Sequence, residues 1–175
     1  MKFLSFFRHY KIIVIALFCI VTVCGMFPGC YSFTGASVPP HLKTLEISTS
    51  EDKSGFGIAA YRQNLTELLL DKFRRDNSLE LVRERPDARL ITTIVSIVDV
   101  TSVVTSGELE NERKITVRVQ ADYEDQVKRR QIWSKTFEQF AVYNVNEGLE
   151  GRNRAVLQAL ERIADDTLLA VVSGW

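Results

Sequence analysis

Arg113-Lys114-Ile115-Thr116-Val117-Arg118-Val119-Gln120-Ala121-Asp122-Tyr123-Glu124 carries the cleanest two-residue period in the chain. Ile115, Val117, Val119, Ala121 and Tyr123 fall on one side; Thr116, Arg118, Gln120, Asp122 and Glu124 fall on the other. A strand sends successive side chains to opposite faces, so this stretch predicts one buried face and one wet face. Such a sheet needs a second layer against its apolar side, and the rest of the chain has to supply it.

Downstream, residues 125–130 turn the chain, and 131–143 return as a strand bearing Trp133, Phe137 and Phe140. Upstream, residues 89–104 form a β-branched run through Ile91, Ile94, Val95, Ile97 and Val98, with apolar side chains in both alternate sets. That composition predicts an internal strand. Ser106-Gly107 with Glu108, Glu110 and Glu112 reads as the turn before residue 113, and the short links favour an antiparallel meander. Two shorter strands are expected at Leu42–Ile47 and Leu79–Val82, the second broken by Arg83–Pro86.

The covering layer has two candidates. Ile58, Tyr61, Leu65, Leu68, Leu69 and Phe73 recur at helical spacing, which predicts an amphipathic helix over about 58–75. Lys72, Arg74 and Arg75 read as its cationic last turn, with Asp76-Asn77 as its stop. A second helix follows Asn146, the expected cap, with Val156, Leu160, Ile163, Ala164, Thr167 and Val171 as its stripe. Leu157, Leu168 and Leu169 are expected to widen that stripe, and Gly174 suits its end. The fold class is therefore α+β: a two-layer sandwich, two helices packed on one face of a four- to five-stranded mixed sheet.

The N-terminus has a different character. Lys2, Arg8 and Lys11 precede an apolar run that closes at Phe27-Pro28-Gly29-Cys30. A basic start, an apolar middle and a small residue before cysteine make a lipoprotein signal, cut after Gly29. Residues 1–29 read as signal peptide, 30–41 as lipidated Cys30 plus tether, and 42–175 as one domain. Its removal leaves 146 of the 175 residues, with 19 basic and 22 acidic side chains. A net acidic chain argues against a nucleic-acid partner.

Enzyme chemistry has little to stand on. Cys19 and Cys24 leave with the signal, and His41 is the mature chain's remaining histidine, beside Pro39-Pro40 in the tether. A nucleophile–histidine pair needs a rigid base, which a tether does not supply. Gly55-Phe56-Gly57-Ile58-Ala59-Ala60 matches a dinucleotide fingerprint in letters. The long charged gap from Ile47 lacks that fingerprint's tight turn, so it reads as a plain approach to a helix. No catalytic residue, metal site or cofactor is expected. Lys128-Arg129-Arg130, at the tip between two strands, is the candidate anion site, because guanidinium and ammonium groups donate charge-assisted hydrogen bonds to phosphate. Arg83 and Arg85 form a second set.

Several strings resemble the LptE family of lipopolysaccharide-assembly lipoproteins, in a branch distant from the enteric proteins. They are Gly29-Cys30-Tyr31-Ser32-Phe33-Thr34-Gly35, Pro39-Pro40-His41-Leu42-Lys43-Thr44, Asp52-Lys53-Ser54-Gly55-Phe56-Gly57 and Val172-Ser173-Gly174-Trp175. The resemblance spans Cys30 to Trp175. It implies a non-enzymatic lipoprotein on the periplasmic face of the outer membrane, anchored by its lipid, that plugs the β-barrel LptD and assists lipopolysaccharide transport to the cell surface. It also implies two helices on a four-stranded sheet, and lipopolysaccharide binding through basic side chains at one end of that sheet. The assignment of that binding to Lys128, Arg129 and Arg130 comes from their chemistry alone.

The alternatives are a lipoprotein activator of a cell-wall synthase and a generic periplasmic scaffold. A ten-residue tether spans at most about 33 Å, short for reaching across a periplasm. Tyr31 is not the aspartate that holds lipoproteins at the inner membrane, which favours outer-membrane delivery. Mass spectrometry of the native product should find an acylated Cys30 at the N-terminus; a retained Met1 or a free thiol at position 30 would refute the anchor.

Overall fold

The computed structural model describes residues 38–101 and 111–173. Its elements are β1 (Thr44–Ile47), β2 (Glu51–Asp52), α1 (Ala60–Asp76), β3 (Glu80–Leu81), β4 (Ala88–Thr101), β5 (Glu112–Asp125), β6 (Arg130–Asn144) and α2 (Gly148–Ser173). The strands form one mixed sheet in the order β3-β1-β4-β5-β6, with β2 also paired to β4. β1 runs parallel to β3 and β4, whereas β4, β5 and β6 are antiparallel. The α+β expectation holds, with a sixth short strand.

The period of β5 sets the layers. Ile115, Val117, Val119, Ala121 and Tyr123 are fully buried. Opposite them, Ala88, Leu90, Ile94 and Ile97 of β4 complete the inner face. β4 is internal, as its two apolar sets predict, and a register shift between Ile94 and Ser96 re-aims its second half. Residues 102–104, the Ser106-Gly107 turn, Glu108, Glu110 and Gly174 lie outside the described residues. Glu112, expected in that turn, instead opens β5 opposite Asn144. On β6 the aromatic residues divide: Trp133 and Phe137 pack on the core, and Phe140 is on the outer face.

α1 buries Tyr61, Leu65, Leu69 and Phe73, one residue per turn. It stops where Asn77 takes φ +58° and donates its N–H to Phe73 O at 3.1 Å, a left-handed cap that asparagine tolerates. α2 buries Ala155, Val156, Ala159, Leu160, Ile163, Ala164, Thr167 and Val171. Leu157 and Leu169 are exposed, so its stripe is narrower than expected. Asn146 is not the cap: Asn144 accepts the Asn146 N–H at 2.9 Å and opens a 3₁₀ turn over Val145–Glu147 that leads into α2.

Two contacts fix the helices side by side. Tyr61 donates its hydroxyl to Asn153 Oδ1 at 2.7 Å, and Lys72 Nζ lies 2.6 Å from Asp165 Oδ1 and 3.7 Å from Glu161. Lys72 therefore joins the two helices rather than closing α1. The order of these contacts makes α1 and α2 parallel, with both C-termini at the sheet end that holds the β5–β6 turn. At the outer edge, Arg162 Nη1 donates to Phe140 O at 2.8 Å, and Gln139 donates to Asp166 at 2.7 Å.

Within the charged gap read as a plain approach to a helix, Glu51–Asp52 form β2. Between β1 and β2 the chain bends at Ser48–Ser50. Ser50 is buried, its N–H bonded to Thr66 Oγ1 at 2.9 Å and its hydroxyl 2.7 Å from that of Thr92. A bend takes backbone groups out of the ladder, and here hydroxyl groups satisfy them. Leu160, which has no exposed surface, is the test of the core. Leu160→Ala should lower stability by about 2–5 kcal/mol in urea unfolding; a loss below about 1 kcal/mol would contradict its packing.

Candidate functional site

Three segments meet at one end of the sheet: residues 38–43 before β1, 82–87 between β3 and β4, and the β5–β6 turn. Registers alone bring them together, since Leu45 pairs Ala88 and Ala88 pairs Asp125. Two carboxylates then fasten them. Asp87 accepts the N–H groups of Lys43 and Thr44 at 3.0 and 3.1 Å, and its own N–H donates to Thr44 Oγ1 at 2.8 Å. Asp125, 1% exposed, receives His41 Nε2 on Oδ2 and the Lys128 N–H on Oδ1, both at 2.8 Å. Gln126 N–H completes the join, donating to Asp87 O at 2.8 Å.

His41 is thus a fixed residue, not part of a tether: a carboxylate 84 positions away holds it. Leu42 N–H donates to Pro39 O at 2.9 Å, and Val38 is half-buried against the core, so ordered packing reaches back to residue 38.

The electrostatics follow from these bonds. For Asp87 the Lys43 N–H is the main cause that lowers its pKa, and partial burial opposes it. For Asp125 burial is the largest influence and raises the pKa; the hydrogen bonds from His41 and Lys128 N–H outweigh it, so the net shift is downward. Both carboxylates stay charged but spend that charge inward.

The basic side chains point the other way. In the three segments the exposed charges are Lys43, Arg83, Arg85, Lys128, Arg129, Arg130 and Glu84. None of those six cations joins an ion pair among the described residues. Lys128, Arg129 and Arg130 are together on the tip as expected, and the fold brings Arg83 and Arg85 beside them. Lys43 joins them without a mark in the sequence, because a single lysine at the start of a strand carries no signal of what it will adjoin. Arg85 and Arg129 both hold φ of +50°, a left-handed conformation that disfavours arginine. A recess of about 270 Å³ at the turn is lined by Glu124, Asp125, Gln126, Arg129, Arg130 and Gln131. Clustered unpaired donors of this kind suit phosphate oxygens.

A larger groove of about 680 Å³, between the helices, is lined by Glu67, Asp71 and Glu161 among others, and its acidic wall does not suit an anion. The face of the sheet away from the helices is the other notable surface. It carries Arg118 paired with Glu138, Gln120 and Asp122, then an apolar stretch of Val98, Val100, Phe140 and Val142. Lys114 Nζ sits 4.2 Å from the centre of the Phe140 ring. Among the described residues, no cluster of His, Cys, Asp or Glu is arranged to hold a metal. Asp52 accepts both the N–H and hydroxyl of Ser54, which makes the glycine string beyond it a local turn before α1.

Residues 42–171, nearly the whole described domain, match the model of the LptE, lipopolysaccharide-assembly family. The chain belongs to the LptE family. That family is one of non-enzymatic accessory lipoproteins. Among solved structures, the chain is similar to the hypothetical protein CT253 of Chlamydia trachomatis, at 8% identity and a TM-score of 0.54, covering 77% of this chain and 99% of that one. It is similar to protein XCC0632 of Xanthomonas campestris at 12% identity and a TM-score of 0.54, covering 78% and 91%. At such identities these likenesses show the fold alone. Comparison with curated proteins gives no match. Among the described residues of this LptE-family chain, no helix is long and apolar enough to cross a membrane.

Asp87 and Asp125 make the site acid-sensitive. Their folded pKa values lie below those of free carboxylates, so their stabilisation is complete above about pH 5 and is lost as pH falls through the folded values. Asp125→Asn should therefore flatten the decline of the urea midpoint between about pH 5 and pH 2. It should also speed hydrogen exchange at the Lys128 amide; an unaltered acid limb would remove Asp125 from this role.

Proposed function

We propose that this chain is an outer-membrane lipoprotein, cut between Gly29 and Cys30 and acylated on Cys30, that assembles with the LptD β-barrel and assists lipopolysaccharide transport. The observation that carries the reading is the family match across residues 42–171. The domain supplies a surface suited to a barrel interior. Its outer sheet face mixes hydrogen-bonding side chains (Arg118, Gln120, Asp122) with the apolar Val98, Val100, Phe140 and Val142. Contact with a barrel wall covers that apolar stretch, which water otherwise meets at a cost.

Lys128, Arg129 and Arg130 are the proposed lipopolysaccharide contacts. Lipid phosphates offer several oxygens to a tip whose cations join no ion pair among the described residues, and arginine binds two oxygens at once. Arg129 holds a left-handed φ whose strain glycine relieves, so this position separates the side chain's binding role from its backbone cost.

Purification from detergent-solubilised outer membranes should recover the chain with LptD, and repeated elution alone would oppose the assignment. Lys128→Ala/Arg129→Ala/Arg130→Ala should weaken lipopolysaccharide binding by roughly tenfold or more with unfolding unchanged. Undiminished binding at physiological salt would remove the tip. Arg129→Gly is the complementary variant: it should stabilise the fold by about 0.5–1 kcal/mol in urea while losing lipopolysaccharide affinity.

A further inference from the structure

The first described residues and the cations lie at the same end of the domain. Eight residue steps lead from Cys30 to Val38, the first described residue. Fully extended, they span at most about 29 Å. β5 and β6, of 14 and 15 residues, are each about 45–50 Å long. His41, bonded to Asp125, fixes the start of the chain beside the β5–β6 turn. An anchored chain therefore cannot stand on its opposite end, because Val38 would then lie farther from the membrane than the tether allows. The three loops that remain within reach display Lys43, Arg83, Arg85, Lys128, Arg129 and Arg130 against Glu84, with exposed Asp76 and Glu80 adjoining them, so among the described residues they stay net basic although the mature chain is acidic overall.

We propose that this end is a membrane-docking face, seated on the anionic phosphoglycerol headgroups of the leaflet that carries the Cys30 lipid. The inference rests on the reading of Cys30 as the anchor; it does not require lipopolysaccharide to bind at the tip. Three observations select a lipid surface as the occupant. The cations lie on three separate loops, a spread arrangement that matches a plane of phosphates. Val127, 59% exposed, stands at the tip beside Lys128 and offers an apolar side chain to the headgroup region. Two of the loops keep an arginine in a left-handed conformation, Arg85 and Arg129. The tether also raises the local concentration of headgroups, so individually weak contacts suffice. The surface then sets an orientation: helices upright, apolar outer face lateral, and the Val145–Leu149 end farthest from the lipid.

Site-directed fluorescence on the acylated mature chain tests this. Cys19 and Cys24 lie in the signal and Cys30 is blocked by acylation, so Val127→Cys, Leu149→Cys and Val98→Cys each give a single labelling position at the tip, the opposite end and the outer face. The chains are reconstituted in lipopolysaccharide-free vesicles of phosphatidylethanolamine and phosphatidylglycerol that contain a headgroup quencher. Quenching at position 127 should exceed that at 149 and 98 by roughly threefold, and about 0.5 M salt should reduce it. Arg83→Glu/Arg85→Glu, distant in sequence from the labelled turn, should reduce it as well. Equal or greater quenching at 149 or 98 overturns the docking face while leaving the anchor intact. Preference for position 127 that arises only when lipopolysaccharide is added also overturns it, and assigns the cations to that glycolipid. Failure to float with the vesicles at low salt refutes anchor and docking face together.

Discussion

Asp125 is the constraint on which the basic end of the sheet depends. A carboxylate removed from water is costly unless its charge is met by hydrogen bonds. Here His41 and the Lys128 amide meet it, one from the segment before β1 and one from the turn between β5 and β6. The same two bonds decide where the N-terminus departs and how the turn is shaped. Asp87 repeats the device one strand away, holding the start of β1 against the approach to β4. Inward-facing acids thus frame the loops, and outward-facing cations are left to define their surface.

Behind that end, the domain is a rigid support. β5 is buried along its whole inner face, and the parallel helices cover it. Because both helices finish at the basic end, the negative ends of their dipoles point there, and the loop cations lie where such dipoles are favourably met. Fold, dipole and charge distribution therefore agree, which is the consistency expected of a well-specified structure.

What could be read from the chain follows its local physics. The alternation of residues 113–124 is a strong local signal, and it correctly identifies the buried set Ile115 to Tyr123. The stripe of α1 is equally plain, because burial recurs with the turn of the helix. The break between β1 and β2 is not legible: its stability lies in Ser50, Thr66 and Thr92, hydroxyls brought together only by the fold. Lys72 looks like a helix-terminating cation until Asp165 is placed opposite it. His41 looks loose beside two prolines because nothing nearby discloses a partner 84 residues on. The tip cations were visible as a run, whereas their union with Arg83, Arg85 and Lys43 is a property of strand register.

The bonds from α2 to β6 have a consequence for self-association. β6 is a long outermost strand, and such a strand offers backbone groups to which another polypeptide can add its own, the first step toward fibrous self-association. Arg162 occupies the Phe140 carbonyl, and Asp166 holds the adjoining Gln139. An incoming strand meets an interruption near the middle of its path and loses continuous register. The helix that completes the core therefore also guards the chain against templated aggregation.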